Sequence, residues 1–108
     1  MTRINLLTLA NGELVGFRIT GHSGFAESGS DIVCAAISSA AYLVANTITE
    51  VIRVSAEIDV NEDNGDMLLR VFQKDATACR DILQGFKLHM LALEEQYSDY
   101  MIVNNTEV

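Results

Sequence analysis

An Asn-Gly pair, Asn11-Gly12, sits between two alternating segments near the start of the chain, and it limits the fold more than any other local feature. A type I′ turn needs positive φ at both central positions, which asparagine and glycine tolerate well. Residues 3–10 and 13–20 are therefore expected to pair as an antiparallel hairpin. In the second strand Val15, Phe17 and Ile19 alternate with Gly16, Arg18 and Thr20, so one face is apolar. Alternation returns at 51–60, where Ile52, Val54, Ala56, Ile58 and Val60 point one way and Arg53, Ser55, Glu57 and Asp59 the other. A second Asn-Gly, within residues 61–66, then turns the chain into a strand at 67–73.

Two segments carry helical spacing instead. Asp31 to about Glu50 is rich in small residues, with Ala35, Ala36, Ser39, Ala40 and Leu43 in helical register. Ser30 or Asp31 can cap it, because each offers an oxygen to unpaired backbone N–H groups. From Asp75 to about Tyr97, the residues Cys79, Ile82, Leu83, Phe86, Met90 and Leu93 form an apolar stripe. Met101-Ile102-Val103 predicts a last short strand. The order ββαββαβ predicts an α+β fold, with two helices packed on a mostly antiparallel sheet. At 108 residues, 49% hydrophobic and 20% charged, the chain fits one globular domain over 1–108 and not a disordered segment.

Seven Lys and Arg against fifteen Asp and Glu give a net charge of −8. So acidic a surface repels phosphate backbones, which argues against direct nucleic-acid binding and for a basic peptide or protein partner. Two cysteines without a CxxC pattern imply a reducing compartment. The apolar stretch at the N-terminus is too short and interrupted for a signal peptide. The apolar run from Ile32 to Ala45 is expected to be too short to span a bilayer. A cytoplasmic protein without a membrane partner is the expectation.

Cys34 falls in the opening turn of the first helix, three residues after Asp31. Unpaired N–H groups and the positive end of the helix dipole act there. Such a position, with a histidine near, favours the nucleophilic form of a thiol. The same N–H groups can hold a developing oxyanion. The plainer reading is a small apolar residue filling a helix–sheet contact. His22 lies twelve residues earlier, just past a strand end, and a fold-back of the loop can bring the two together. A histidine there can take the thiol proton and return it to a leaving amine; alternatively it is a solvent-facing loop residue. The connecting residues 21–30 hold three glycines and three serines and are expected to be mobile. Cys79 reads as core and His89 as a boundary residue. No ligand spacing supports a metal, and no GxGxxG or P-loop lysine supports a nucleotide, so no cofactor is expected. The acidic residues read as solvated faces and turns, or as an attraction for a basic substrate.

Gly21-His22, a glycine-rich loop, and Asp31-Ile32-Val33-Cys34-Ala35-Ala36 with Ser38 together resemble the Prp (YsxB-like) family of ribosomal-processing cysteine proteases. The likeness extends over nearly the whole chain. It implies an endopeptidase that removes the N-terminal extension of large-subunit ribosomal protein number twenty-seven, cutting after an aromatic residue, and that works as a homodimer. It implies that His22 and Cys34 are the catalytic pair and that Asp31 and Ser38 support them. Asp31 can orient His22 or cap the helix. Ser38, one turn after Cys34, can bond near the thiol or back-bond to the Cys34 carbonyl. Gly21, Ser23, Gly24, Phe25 and Gly29 fall in the substrate loop. The chain departs from the family at Ser23, where alanine is common, and over residues 24–28. Phe25 is either a lid over bound peptide or an exposed aromatic of no consequence. The competing readings are a non-catalytic ribosome-associated binding protein and, behind it, a thiol hydrolase or transferase acting on non-peptide acyl groups.

Overall fold

The first hairpin forms as expected, but around a different turn. In a computed structural model, which describes residues 1–27 and 31–108, β1 (Thr2–Thr8) and β2 (Leu14–Thr20) run antiparallel, with Ile4 opposite Ile19 and Leu6 opposite Phe17. Only Gly12 of the Asn-Gly pair has positive φ, at 87°. Its N–H donates to the Leu9 carbonyl at 2.8 Å, so Ala10 and Asn11 are the central residues of the turn and Gly12 closes it. The Asn11 side chain explains its place differently: Oδ1 accepts the Glu13 N–H and Nδ2 donates to the Glu13 carboxylate. The wider turn offsets the ladder between Leu7 and Thr8.

The first helix ends close to where its sequence suggests, but in a different form. Helix α1 (Ile32–Asn46) continues through a wide π-type turn at Thr47–Ile52 and stops at Arg53, whose φ is 64°. The N–H groups of Arg53 and Val54 both donate to the Ile48 carbonyl. No glycine or proline stands between Asn46 and Ser55 to end the helix earlier. The Thr47 and Thr49 hydroxyls donate back to the Leu43 and Ala45 carbonyls, a local bonding that distorts helices. Consequently β3 is only Ala56–Val60, not 51–60. Ile52 and Val54 still pack against the core, while Ile58 is 40% exposed. The helical stretch Ile32–Ile52 is 21 residues, long and apolar enough to cross a membrane by length and composition, which corrects the expectation drawn from Ile32–Ala45 alone. Its Val33, Ile37, Ala41, Val44 and Ile48 are buried in the core that the helices share with the sheet.

Strand β4 (Met67–Val71) pairs antiparallel with both β3 and β2. A 3₁₀ turn at Gln73–Asp75 precedes helix α2 (Arg80–Gln96), which buries Leu83, Phe86 and Met90 along one stripe. Phe86 stacks on Phe17, with ring centroids 4.2 Å apart, at the centre of the core. Strand β5 (Met101–Glu107) is longer than Met101–Val103 and lies parallel to β1, with Thr2 opposite Met101. Its Val103 N–H donates to the Glu94 carboxylate of α2 at 2.6 Å. The sheet order is β3-β4-β2-β1-β5, antiparallel except at the β1–β5 edge. This ββαββαβ arrangement is the expected α+β fold. It brings the start of β1, the end of β2 and the start of α1 to one end of the sheet.

Candidate active site

Gly21 lets the chain leave β2 at this end. Its φ is 81°, and a Cβ would lie 2.6 Å from the Met1 carbonyl oxygen, so no larger residue fits without displacing backbone. Its N–H donates to Oδ1 of Asp66, at the end of the turn between β3 and β4, at 3.2 Å. His22 follows immediately and is exposed.

Asp31 starts α1. Its Oδ1 accepts the Val33 and Cys34 N–H groups, each at 3.0 Å, and its backbone carbonyl accepts the Ala35 N–H at 3.0 Å. Asp31 is thus the helix cap. This corrects the expectation that the first-turn N–H groups are available to an oxyanion: those of Val33, Cys34 and Ala35 are engaged by Asp31. Its second oxygen, Oδ2, accepts the Ser23 hydroxyl, so Asp31 bonds to the neighbour of His22 and not to His22 itself. Partial burial pushes the Asp31 carboxyl up. Hydrogen bonds from the Ser23 hydroxyl, the Cys34 backbone and thiol, and the Val33 amide outweigh burial and hold it below the ordinary 3.8.

Around the Cys34 sulfur, two further polar groups converge. The Ser23 N–H donates to Sγ at 3.5 Å, and the Thr2 hydroxyl lies 3.8 Å from it. Thr2, Ser23 and Asp31 are 2%, 3% and 9% exposed, and they are the buried polar residues among those described. All three touch Cys34 through sulfur or backbone. Buried polar groups need partners, and here the partners surround one half-buried thiol.

The thiol opens on a cleft of about 550 Å³. Gly21, His22, Gly24, Cys34 and Ser38 line one part of it, and Glu62, Asp63, Asn64 and Gly65 another. His22 and Cys34 therefore face the same space. Ser38 is exposed on the same helix, one turn on. Ser23 and Phe25, expected on the substrate side, do not line the cleft: Ser23 is buried behind the thiol, and Phe25 meets Tyr100 and Tyr97 edge-on, with centroids 5.1 Å and 6.1 Å away. Gly29, with Ser28 and Ser30, lies outside the described residues. Cys79 is fully buried, as its place on the apolar stripe predicts. Burial, with the Asp75 carboxylate second, raises its thiol above the ordinary 9.0. His89 is exposed on α2. Among the described residues no group of three or more His, Cys, Asp and Glu can hold a metal ion.

Sequence reasoning missed Thr2 and misjudged Ser23. Thr2 is 32 positions from Cys34 and carries no local signal. Ser23 had one: a small polar residue two positions before Phe25, whose N–H its hydroxyl accepts at 3.1 Å.

Comparison with known proteins gives the family. The family model described as "Cysteine protease Prp" matches residues 1–102. A ribosomal processing cysteine protease Prp of Bacillus subtilis is 24% identical over 94 residues, covering 83% of this chain and 84% of its own length. The protein of that name from Staphylococcus aureus is 23% identical, over 96% and 98% of the two chains. A crystal structure of the S. aureus protease, with a covalently linked product peptide, superimposes with a TM-score of 0.90 at 23% identity, covering 98% of this chain and all of the other. A structure from Streptococcus mutans does so with a TM-score of 0.85 at 22% identity, covering 100% and 96%. With its match running almost from end to end, this chain belongs to the cysteine protease Prp family.

Proposed function

We propose that Cys34 is the nucleophile and His22 the general base and acid of an endopeptidase that removes the N-terminal extension of large-subunit ribosomal protein number twenty-seven. The observation that carries this is the convergence on one sulfur. Ser23 N–H, the Thr2 hydroxyl and the capped first turn of α1 surround Cys34, and His22 opens on the same cleft. His22 takes the thiol proton as Sγ bonds to the peptide carbonyl carbon. The carbon–nitrogen bond then breaks, and the proton passes from His22 to the departing amine. His22 next removes a proton from water, which displaces Sγ from the thioester and returns the free thiol.

The substrate assignment is supported by the relatives, whose names specify ribosomal processing, and by the S. aureus complexes with substrate and product peptides. The net charge of −8, with Glu62 and Asp63 on the cleft wall, suits a basic peptide. In this reading residues 1–108 act as one domain, in the cytoplasm, as a homodimer. Ser38 supports the thiol from the cleft side, and Gly21 and Gly24 border the bound peptide.

Incubation of the purified protein with the extension peptide, followed by mass spectrometry, tests the assignment. Wild type should cut once and Cys34→Ala not at all, with both folded by circular dichroism. Equal cleavage by the two proteins would end the proposal.

A further inference from the structure

We propose that the Ser23 hydroxyl is a positioning group for the reaction: it latches the segment bearing His22 to the cap of the helix bearing Cys34. The proposal rests on the assignment of His22 and Cys34 above. Ser23 is 3% exposed, adjoins His22 in sequence and makes three hydrogen bonds, one through its backbone nitrogen and two through its hydroxyl oxygen. Its N–H donates to Cys34 Sγ, its hydroxyl donates to Asp31 Oδ2, and the same oxygen accepts the Phe25 N–H. The other Asp31 oxygen accepts the Val33 and Cys34 N–H groups. One carboxylate therefore joins the first turn of α1 to the residue next to His22.

The purpose of such a latch follows from the surroundings. His22 is exposed, and its ring makes no hydrogen bond to another described residue. Its backbone is held on one side by Gly21, whose N–H is bound to Asp66, and on the other by Ser23. The Gly21 anchor fixes the segment to the β3–β4 turn. Of these two anchors, the Ser23 one refers it to Cys34. An ångström of misplacement between reacting groups can lower a rate about a hundredfold. A charge-assisted hydrogen bond in a buried setting is a strong means of preventing that.

Ser23→Ala removes the hydroxyl and keeps the N–H to sulfur. It is expected to lower kcat for the extension peptide about tenfold or more, with KM changed less than about threefold, because Ser23 does not line the cleft. Ser23→Thr, which restores a hydroxyl, should recover most of the loss. Alkylation of Cys34 by iodoacetamide is measured in the same proteins without substrate, and thermal melts confirm folding at the assay temperature. A folded Ser23→Ala protein with wild-type kcat overturns the proposal, as does a loss that Ser23→Thr and Ser23→Ala share equally. Failure of the underlying assignment has a separate signature: Cys34→Ala would still cleave, whatever Ser23 does.

Discussion

The hydroxyl of Thr2, at the first position of β1, lies 3.8 Å from the sulfur of Cys34, in the first turn of α1. The contact exists because β1 starts at the end of the sheet where β2 stops and α1 begins. Thr2 is held there by its N–H, which donates to the Tyr100 carbonyl at 2.9 Å, and by pairing with Met101. Thr2→Val keeps the shape and removes the hydroxyl. A net hydrogen bond contributes about 0.5–1.5 kcal/mol, so kcat/KM should fall about two- to tenfold. Steady-state kinetics with the extension peptide measures it, and a loss beyond a hundredfold would mean that Thr2 does more than contact the sulfur.

Gly21 admits no side chain. Alanine there would carry the cost of a left-handed φ, about 1–2 kcal/mol, and its Cβ would press on the Met1 carbonyl. Gly21→Ala should lower the melting temperature by several degrees and nearly abolish cleavage by shifting His22. Gly12→Ala, also at positive φ but with nothing within 4 Å of the added carbon, should lose stability without losing activity. Paired melts and assays on the two variants separate strain from misplacement.

Asp31 links stability to acid. Its carboxyl is held below 3.8 in the folded protein, so the folded state binds that proton more weakly than the unfolded one. The stabilisation is complete above pH 3.8 and is lost as pH falls through the depressed folded value. Melting temperatures between pH 6 and pH 2 should therefore drop more steeply for wild type than for Asp31→Asn, which can still cap the helix. Asp31→Ala, which cannot cap, should cost about 1 kcal/mol at neutral pH.

Cys79 makes the opposite prediction. Its thiol is raised above 9.0 by burial and by Asp75, so the folded state holds that proton more tightly. The contribution is present below pH 9.0 and fades as pH rises through the folded value. Alkaline melts should be less steep for Cys79→Ala, which should also retain full cleavage. In native protein iodoacetamide should label Cys34 and leave Cys79 untouched until denaturant is added. Rapid labelling of Cys79 would mean that α2 opens far more readily than its buried stripe implies.

What could be read from the chain followed the range of each interaction. The stripe of Cys79, Leu83, Phe86 and Met90 and the alternation of Val15, Phe17 and Ile19 were legible because periodicity is local. Asp31 and Cys34 were legible because a cap and its first turn lie within four residues. The start of β3 was not, because the helical turn before it is closed by Arg53 at positive φ, a residue that ordinarily does not mark a stop. Neither Thr2 nor the seat of Phe25 on Tyr97 and Tyr100 could be foreseen. Both depend on the parallel pairing of β5 with β1, which joins opposite ends of the chain.

That parallel pairing also fixes where foreign polypeptide can be attached. Because β1 and β5 run side by side in the same direction, Met1 abuts Gly21 at the cleft, whereas the Val108 N–H bonds to the Thr8 carbonyl at the far end of the strand. The two termini are separated by the length of β1, roughly 20 Å. An affinity tag or fluorescent reporter fused ahead of Met1 would emerge next to Gly21, the residue before His22, while one fused after Val108 would leave from the far end of the strand.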